Sequence, residues 1–272
     1  MSIWSLLIVL CVGCVFHYKF NRLWVVEMEF DFPDLSRMQL NATTIHKKWM
    51  DACGHRPEFA RWRNMRSTHK HDLLHSVASA ADNDRTEDGN YVTAYNEMHI
   101  VDLIATRQWS VEHVVPRSHV RSGLASSDPI GWIEATRSAN SRRSNLPLYL
   151  WQENAVVVEN EVVDVDGVSH FVPPMAQRAR LARKWLFIRA TYVGGQLEPP
   201  SAAQTKHAAA IIAHAKDTPI QEAESRMNRM YREMLGWANP LLEDGASVWF
   251  DDPSWQKLIF QQPKTLSLRE LK

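Results

Sequence analysis

The sequence predicts an α+β fold, a small sheet set within a mainly helical single domain. Three observations lead there. Well-marked helical stretches outnumber strand-like ones. The strand-like stretches are short and bounded by turn residues. The 272 residues, 45% hydrophobic and 23% charged, are enough to build the core of one large domain.

Taken in order, "IWSLLIVLCVGCVF" (Ile3 to Phe16) runs without a charge and is followed by Lys19 and Arg22. It is short for a bilayer-spanning helix and fits a signal or anchor segment, placing the protein at a membrane or outside it. Basic residues on its C-terminal side favour a cytoplasmic domain if it is an anchor. Residues 1–24 are therefore set apart from a domain over 25–272, with a core at about 70–200 and a helical C-terminal part at 201–272. "TTIHKKWMDACG" reads as a short helix ending at Gly54, "DLLHSVASAA" as another, and "DNDRTEDGN" as a loop.

After Arg107 the pattern becomes strand, loop and short helix. "NAVVVENEVVDVDGVSHFVP" predicts one or two strands about a "VDGV" turn. "PPMAQRARLARKWLFIRATYVGG" is the strongest helix, with Leu181, Trp185, Ile188 and Tyr192 on one apolar face and cations facing water or nucleic acid. Ser201 and Gln204 have capping-box spacing for a helix running to about Lys216. Thr218, Pro219 and Gln221 open another that ends near Gly236. The tail "SVWFDDPSWQKLIFQQP" is expected to pack through its aromatic residues.

Formal net charge is zero, but the charge is uneven. Arg178 to Arg189 carries five bases and no acid, and Glu233 to Asp252 five acids and no base. A basic surface can therefore exist on a neutral chain. The cysteines are Cys11, Cys14 and Cys53, so no disulfide framework holds the main domain.

The chemistry is concentrated in "QWSVEHVVPRSHV". Glu112 and His113 lie between aliphatic residues at the expected end of a strand, which Pro116 terminates. A nuclease using one hard divalent cation needs a carboxylate, a further oxygen ligand and a base that titrates near neutrality. Glu112 can supply the first and His113 the last. "SANSRRSNLPLYLW" offers Asn140, Arg142, Arg143 and Asn145 downstream.

"WSVEHVVPRS", then "DP" at Asp128, "NSRRSN" at Asn140 and "RARLAR" at Arg178 to Arg183, in that order, resemble the endonuclease I family. Its members are nonspecific nucleases of the ββα-metal (His-Me finger) type. The resemblance implies such a finger embedded in the helical domain. It implies His113 as general base, with Glu112 and Asn140 holding Mg²⁺, for which Mn²⁺ or Ca²⁺ could substitute. Arg143 and Asn145 match the other fixed positions of the asparagine block, Arg143 either gripping a phosphate or bracing the loop. The implied partner is the DNA or RNA backbone, met by Arg117, Arg121, Arg142, Asn145, Arg178, Arg180 and Arg183. His113's second ring nitrogen is expected on a backbone carbonyl. The sequence departs from the family in a short segment between His113 and Asn140, so the second strand is expected to be minimal. Ala179 stands where glycine is usual, and the family's C-terminal glycine- and asparagine-containing block is missing after Trp237.

Two other readings compete. One is a membrane-tethered module on the same fold that binds nucleic acid without cutting it. The other is a zinc hydrolase using His69, His71 and His75.

Overall fold

The computed structural model describes residues 44–55, 95, 109–151 and 158–261. The chain divides into two units, residues 1–44 and 45–272, and the described residues other than Thr44 belong to the second. The segment at 3–16, the helix expected at 72–81 and the histidines at 69, 71 and 75 lie outside the described residues. Among the described residues, no helix is long and apolar enough to cross a membrane.

The architecture is α+β. A helix over 44–53 (α1) is followed, after an interval, by strand β1, Trp109–His113. Short 3₁₀ turns then lead to β2, Trp132–Thr136, and directly into helix α2, Arg137–Arg143. The two strands are antiparallel and paired over their whole length, from Trp109 opposite Thr136 to His113 opposite Trp132. The second strand is thus not minimal, contrary to expectation. "WIEAT" is aromatic and β-branched enough to extend, and every residue in it is buried. Thr136 ends β2 and starts α2, its hydroxyl accepting from Ala139 N at 3.1 Å.

The valine-rich stretch forms a second hairpin, β3 (Val162–Val165) and β4 (Val168–Phe171), turning at Asp166 and Gly167. Both turn residues have positive φ, 54° and 78°, the geometry of a tight hairpin turn.

Helix α3, Met175–Thr191, runs through the centre of the domain. Leu181, Trp185, Ile188 and Tyr192 are buried as expected, but so is every residue from Gln177 to Thr191. The expected water-facing side does not exist. Its cations are instead held by internal partners, two of them acids and the rest backbone carbonyls. Arg180 meets Glu134 at 3.0 Å and Arg183 meets Glu224 at 2.7 Å. Arg178 Nε donates to Pro173 O at 3.0 Å, and Lys184 Nζ to Ile130 O and Trp132 O, both at 3.0 Å. Buried charges survive only when paired and hydrogen-bonded.

The capping box at Ser201 and Gln204 is formed. The helix it opens breaks at His207 into α4 (Ala202–Lys206) and α5 (Ala208–Asp217). Helix α6 (Glu222–Leu235) ends at Gly236 in the left-handed conformation, φ 64°. The tail forms α7 (Ser247–Phe250) and α8 (Pro253–Phe260). Its aromatics pack as expected: Trp249 and Trp255 lie 5.1 and 5.4 Å from Trp49 of α1, which also meets Phe187 of α3 at 6.0 Å.

Candidate active site

The site is built on β1, β2 and α2. His113 closes β1, and Pro116 follows before the 3₁₀ turn Arg117–His119. The ring is half-buried. Its Nε2 lies 3.0 Å from Ser126 O, the contact the sequence led us to expect. A carbonyl accepts only, so Nε2 carries the proton and Nδ1 is the basic nitrogen. Trp132 Nε1 donates to the same carbonyl at 3.2 Å, and Trp132 is the residue paired with His113 across the hairpin.

Glu112 is buried, and its two oxygens differ. Oε1 accepts from Arg143 Nη1 at 2.5 Å and from the His113 amide at 2.7 Å. Oε2 is buried and finds no hydrogen-bond partner among the described residues. Burial raises the pKa of Glu112, while the Arg143 charge and the bonds from His113 N and Arg143 pull it back down. Arg143 is itself fully buried. It also donates to His113 O at 2.8 Å and to Val114 O at 3.1 Å. Of the two roles open to it, the geometry is that of a brace, holding the carboxylate and the end of β1 together.

Asn140 lies on α2 and reaches β1. Its Nδ2 donates to Ser110 Oγ at 2.9 Å and more weakly to Val111 O at 3.4 Å. Those bonds use the amide nitrogen, so Oδ1 is the atom that would face a cation. Ser110 and Glu112 share one face of β1, two residues apart. The hairpin and helix therefore bring Glu112, His113 and Asn140 together on one unit. Tyr95 is buried where the charges of both Arg143 and Glu112 act on its hydroxyl, whose pKa burial pushes up.

Among the described residues, no group of three or more His, Cys, Asp or Glu is gathered for a metal. One carboxylate oxygen without a partner among the described residues and one oriented amide oxygen suit a hard cation that keeps most of its waters. The residues present fit Mg²⁺ on that ground.

The remaining expected residues separate into two groups. Arg117, Arg121, Arg142 and Asn145 are exposed, and Arg142 donates to Asn160 O at 3.4 Å. Arg178, Arg180 and Arg183 are 1–2% exposed and held by internal partners. The expectation that they meet a nucleic-acid backbone is corrected: a guanidinium enclosed against Glu134 or Glu224 presents no charge to a phosphate.

Sequence reading missed Ser110, Ser126 and Trp132. Ser110 could have been found from its two-residue spacing to Glu112 on the same strand face. Ser126 acts through its backbone carbonyl, which no residue type announces. Trp132 becomes visible only once the register of β1 and β2 is known. No model of a known protein family matches the chain, and no curated protein does either.

Proposed function

We propose that this chain is a metal-dependent, largely sequence-nonspecific endonuclease of the ββα-metal type. It would hydrolyse phosphodiester bonds of DNA, and of RNA on the same chemistry, leaving 5′-phosphate products. One observation carries the reading: Asn140 is held to β1 through Ser110, on the strand face that also carries Glu112, whose Oε2 finds no partner among the described residues, while the Nε2 of the adjoining His113 is tied to a carbonyl.

In this mechanism Nδ1 of His113 accepts a proton from the attacking water. Ser126 O holds the opposite ring nitrogen, fixing the tautomer and supporting the imidazolium that forms. Glu112 Oε2 and Asn140 Oδ1 would hold Mg²⁺, which supplies stabilisation of charge on the phosphate and leaving oxygens. Arg143 keeps Oε1 occupied and so aims Oε2. The exposed Arg117, Arg121 and Arg142 provide phosphate contacts that carry no sequence information.

The test is incubation of the full chain with supercoiled plasmid and with structured RNA, in Mg²⁺ and in EDTA, beside His113→Ala. Metal-dependent nicking that falls about 10²–10⁴-fold in the variant is expected. A folded protein that cuts neither substrate with any divalent metal rejects the reading in favour of a binding module.

A further inference from the structure

A cavity of about 470 Å³ begins at Val114, the residue after His113, and is also lined by His119, Asn145, Ser169, Arg189 and Glu198. Its chemistry is mixed. Arg189 is buried and donates to Glu198 O at 2.6 Å. The Glu198 carboxylate acts on both Arg189 and His119, raising their pKa values against burial, which lowers them. Asn145 and Ser169 are exposed and add an amide and a hydroxyl. A carboxylate among these groups disfavours a phosphate inside the cavity. The exposed cations instead sit nearby in sequence, Arg117 and Arg121 on either side of His119.

Donors and acceptors inside, with exposed cations next to its lining residues in the chain, match a single strand better than a duplex. A duplex turns its phosphates outward and keeps its pairing edges occupied, so it could use the arginines but not the interior. An unpaired nucleotide can place its phosphate on the arginines and its base edge in the cavity. We propose that this cavity receives an unpaired base of the substrate strand, next to the Glu112–His113 site, giving the protein a preference for single-stranded nucleic acid. The proposal rests on the nuclease reading and names its substrate class. Glu198 would accept from an exocyclic amino group, as carboxylates do from cytosine N4, whereas thymine offers a carbonyl oxygen there.

The experiment measures binding of the full chain in EDTA, where nothing is cut, to fluorescent oligo(dC), oligo(dT) and a blunt duplex at one salt concentration. Ser169→Trp, which places an indole in the cavity from the surface of β4, and Glu198→Gln are compared with wild type. Oligo(dC) is expected to bind about tenfold more tightly than duplex. Ser169→Trp should bring it down to the duplex level, and Glu198→Gln should narrow the gap between oligo(dC) and oligo(dT). Equal binding of single strand and duplex by wild type overturns the proposal, as does a Glu198→Gln protein with unchanged base preference. The two readings fail separately. A single-strand binder that never cuts removes the nuclease and keeps the cavity, whereas a nuclease indifferent to strandedness does the reverse.

Discussion

Arg143 Nη1 sits 2.5 Å from Glu112 Oε1, with both side chains enclosed. The same guanidinium holds the carbonyls of His113 and Val114, so one residue of α2 fixes both the carboxylate and the end of the strand that carries His113. Arg143→Met would leave a buried carboxylate without its counter-charge. Loss of about 3–5 kcal/mol in urea unfolding is expected. Activity should change in a second, separable way. On the proposed nuclease reading Glu112 must be ionised to hold a cation, so cleavage should be present above its raised pKa and lost as pH falls through it. Removing Arg143 takes away a charge that lowers that pKa, and the acid limb of the cleavage profile should move to higher pH. A less stable variant whose acid limb stays in place would leave Arg143 with a structural role alone.

Ser110 holds Asn140 by the amide nitrogen, and its effect should appear in metal affinity rather than folding. Partners of metal ligands typically contribute 10–100-fold. Ser110→Ala is expected to raise the Mg²⁺ concentration for half-maximal cleavage by about that factor, with about 1 kcal/mol or less lost in stability. If saturating Mg²⁺ fails to restore the rate, the serine acts on something other than metal binding.

The basic residues should divide by burial. Arg117 is exposed, and Arg117→Ala should weaken nucleic-acid binding uniformly across sequences. The slope of log affinity against log salt should fall by about 1, with melting unchanged. Arg180 is locked to Glu134, and Arg180→Met should do the opposite, costing about 3–5 kcal/mol of stability and leaving the salt slope alone. A reduced slope in the Arg180 variant would mean that its guanidinium reaches the nucleic acid after all.

The contrast between those two arginines also marks what the sequence could tell. The end of β1 at His113, the hairpin about Asp166 and Gly167, the capping box at Ser201 and the stop at Gly236 were all legible, because local chemistry dictates each. The company of Glu112 and Asn140, 28 positions apart, was not legible from spacing and came only through resemblance. The burial of α3 was misread for a physical reason. Arg180 and Arg183 look like a solvated face until their acids are located, and Glu134 and Glu224 lie 46 and 41 positions away. The halves of a buried ion pair carry no mutual signature in one chain.

Lys184 extends that contrast to β2, the strand paired with β1. Its ammonium donates to Ile130 O and Trp132 O, the carbonyls on either side of Gly131, where an added Cβ would lie 2.7 Å from Ile188 Cδ1. Burial lowers its pKa from 10.5 to about 8. Between those values the unfolded chain binds more protons than the native one, so this site makes stability rise with pH through that window. Below it, lysine is charged in both states and the dependence flattens. Lys184→Met removes the titration and leaves two buried carbonyls without their donor, at about 1–3 kcal/mol. Urea unfolding of both proteins from neutral to alkaline pH isolates the lysine, because every other group is common to the pair. Wild type should gain on the variant as pH rises, and a constant difference would show that burial does not perturb Lys184. Trp132, held through its carbonyl by Lys184, shares the Ser126 acceptor with His113. The same substitution should therefore slow cleavage even where the variant remains fully folded.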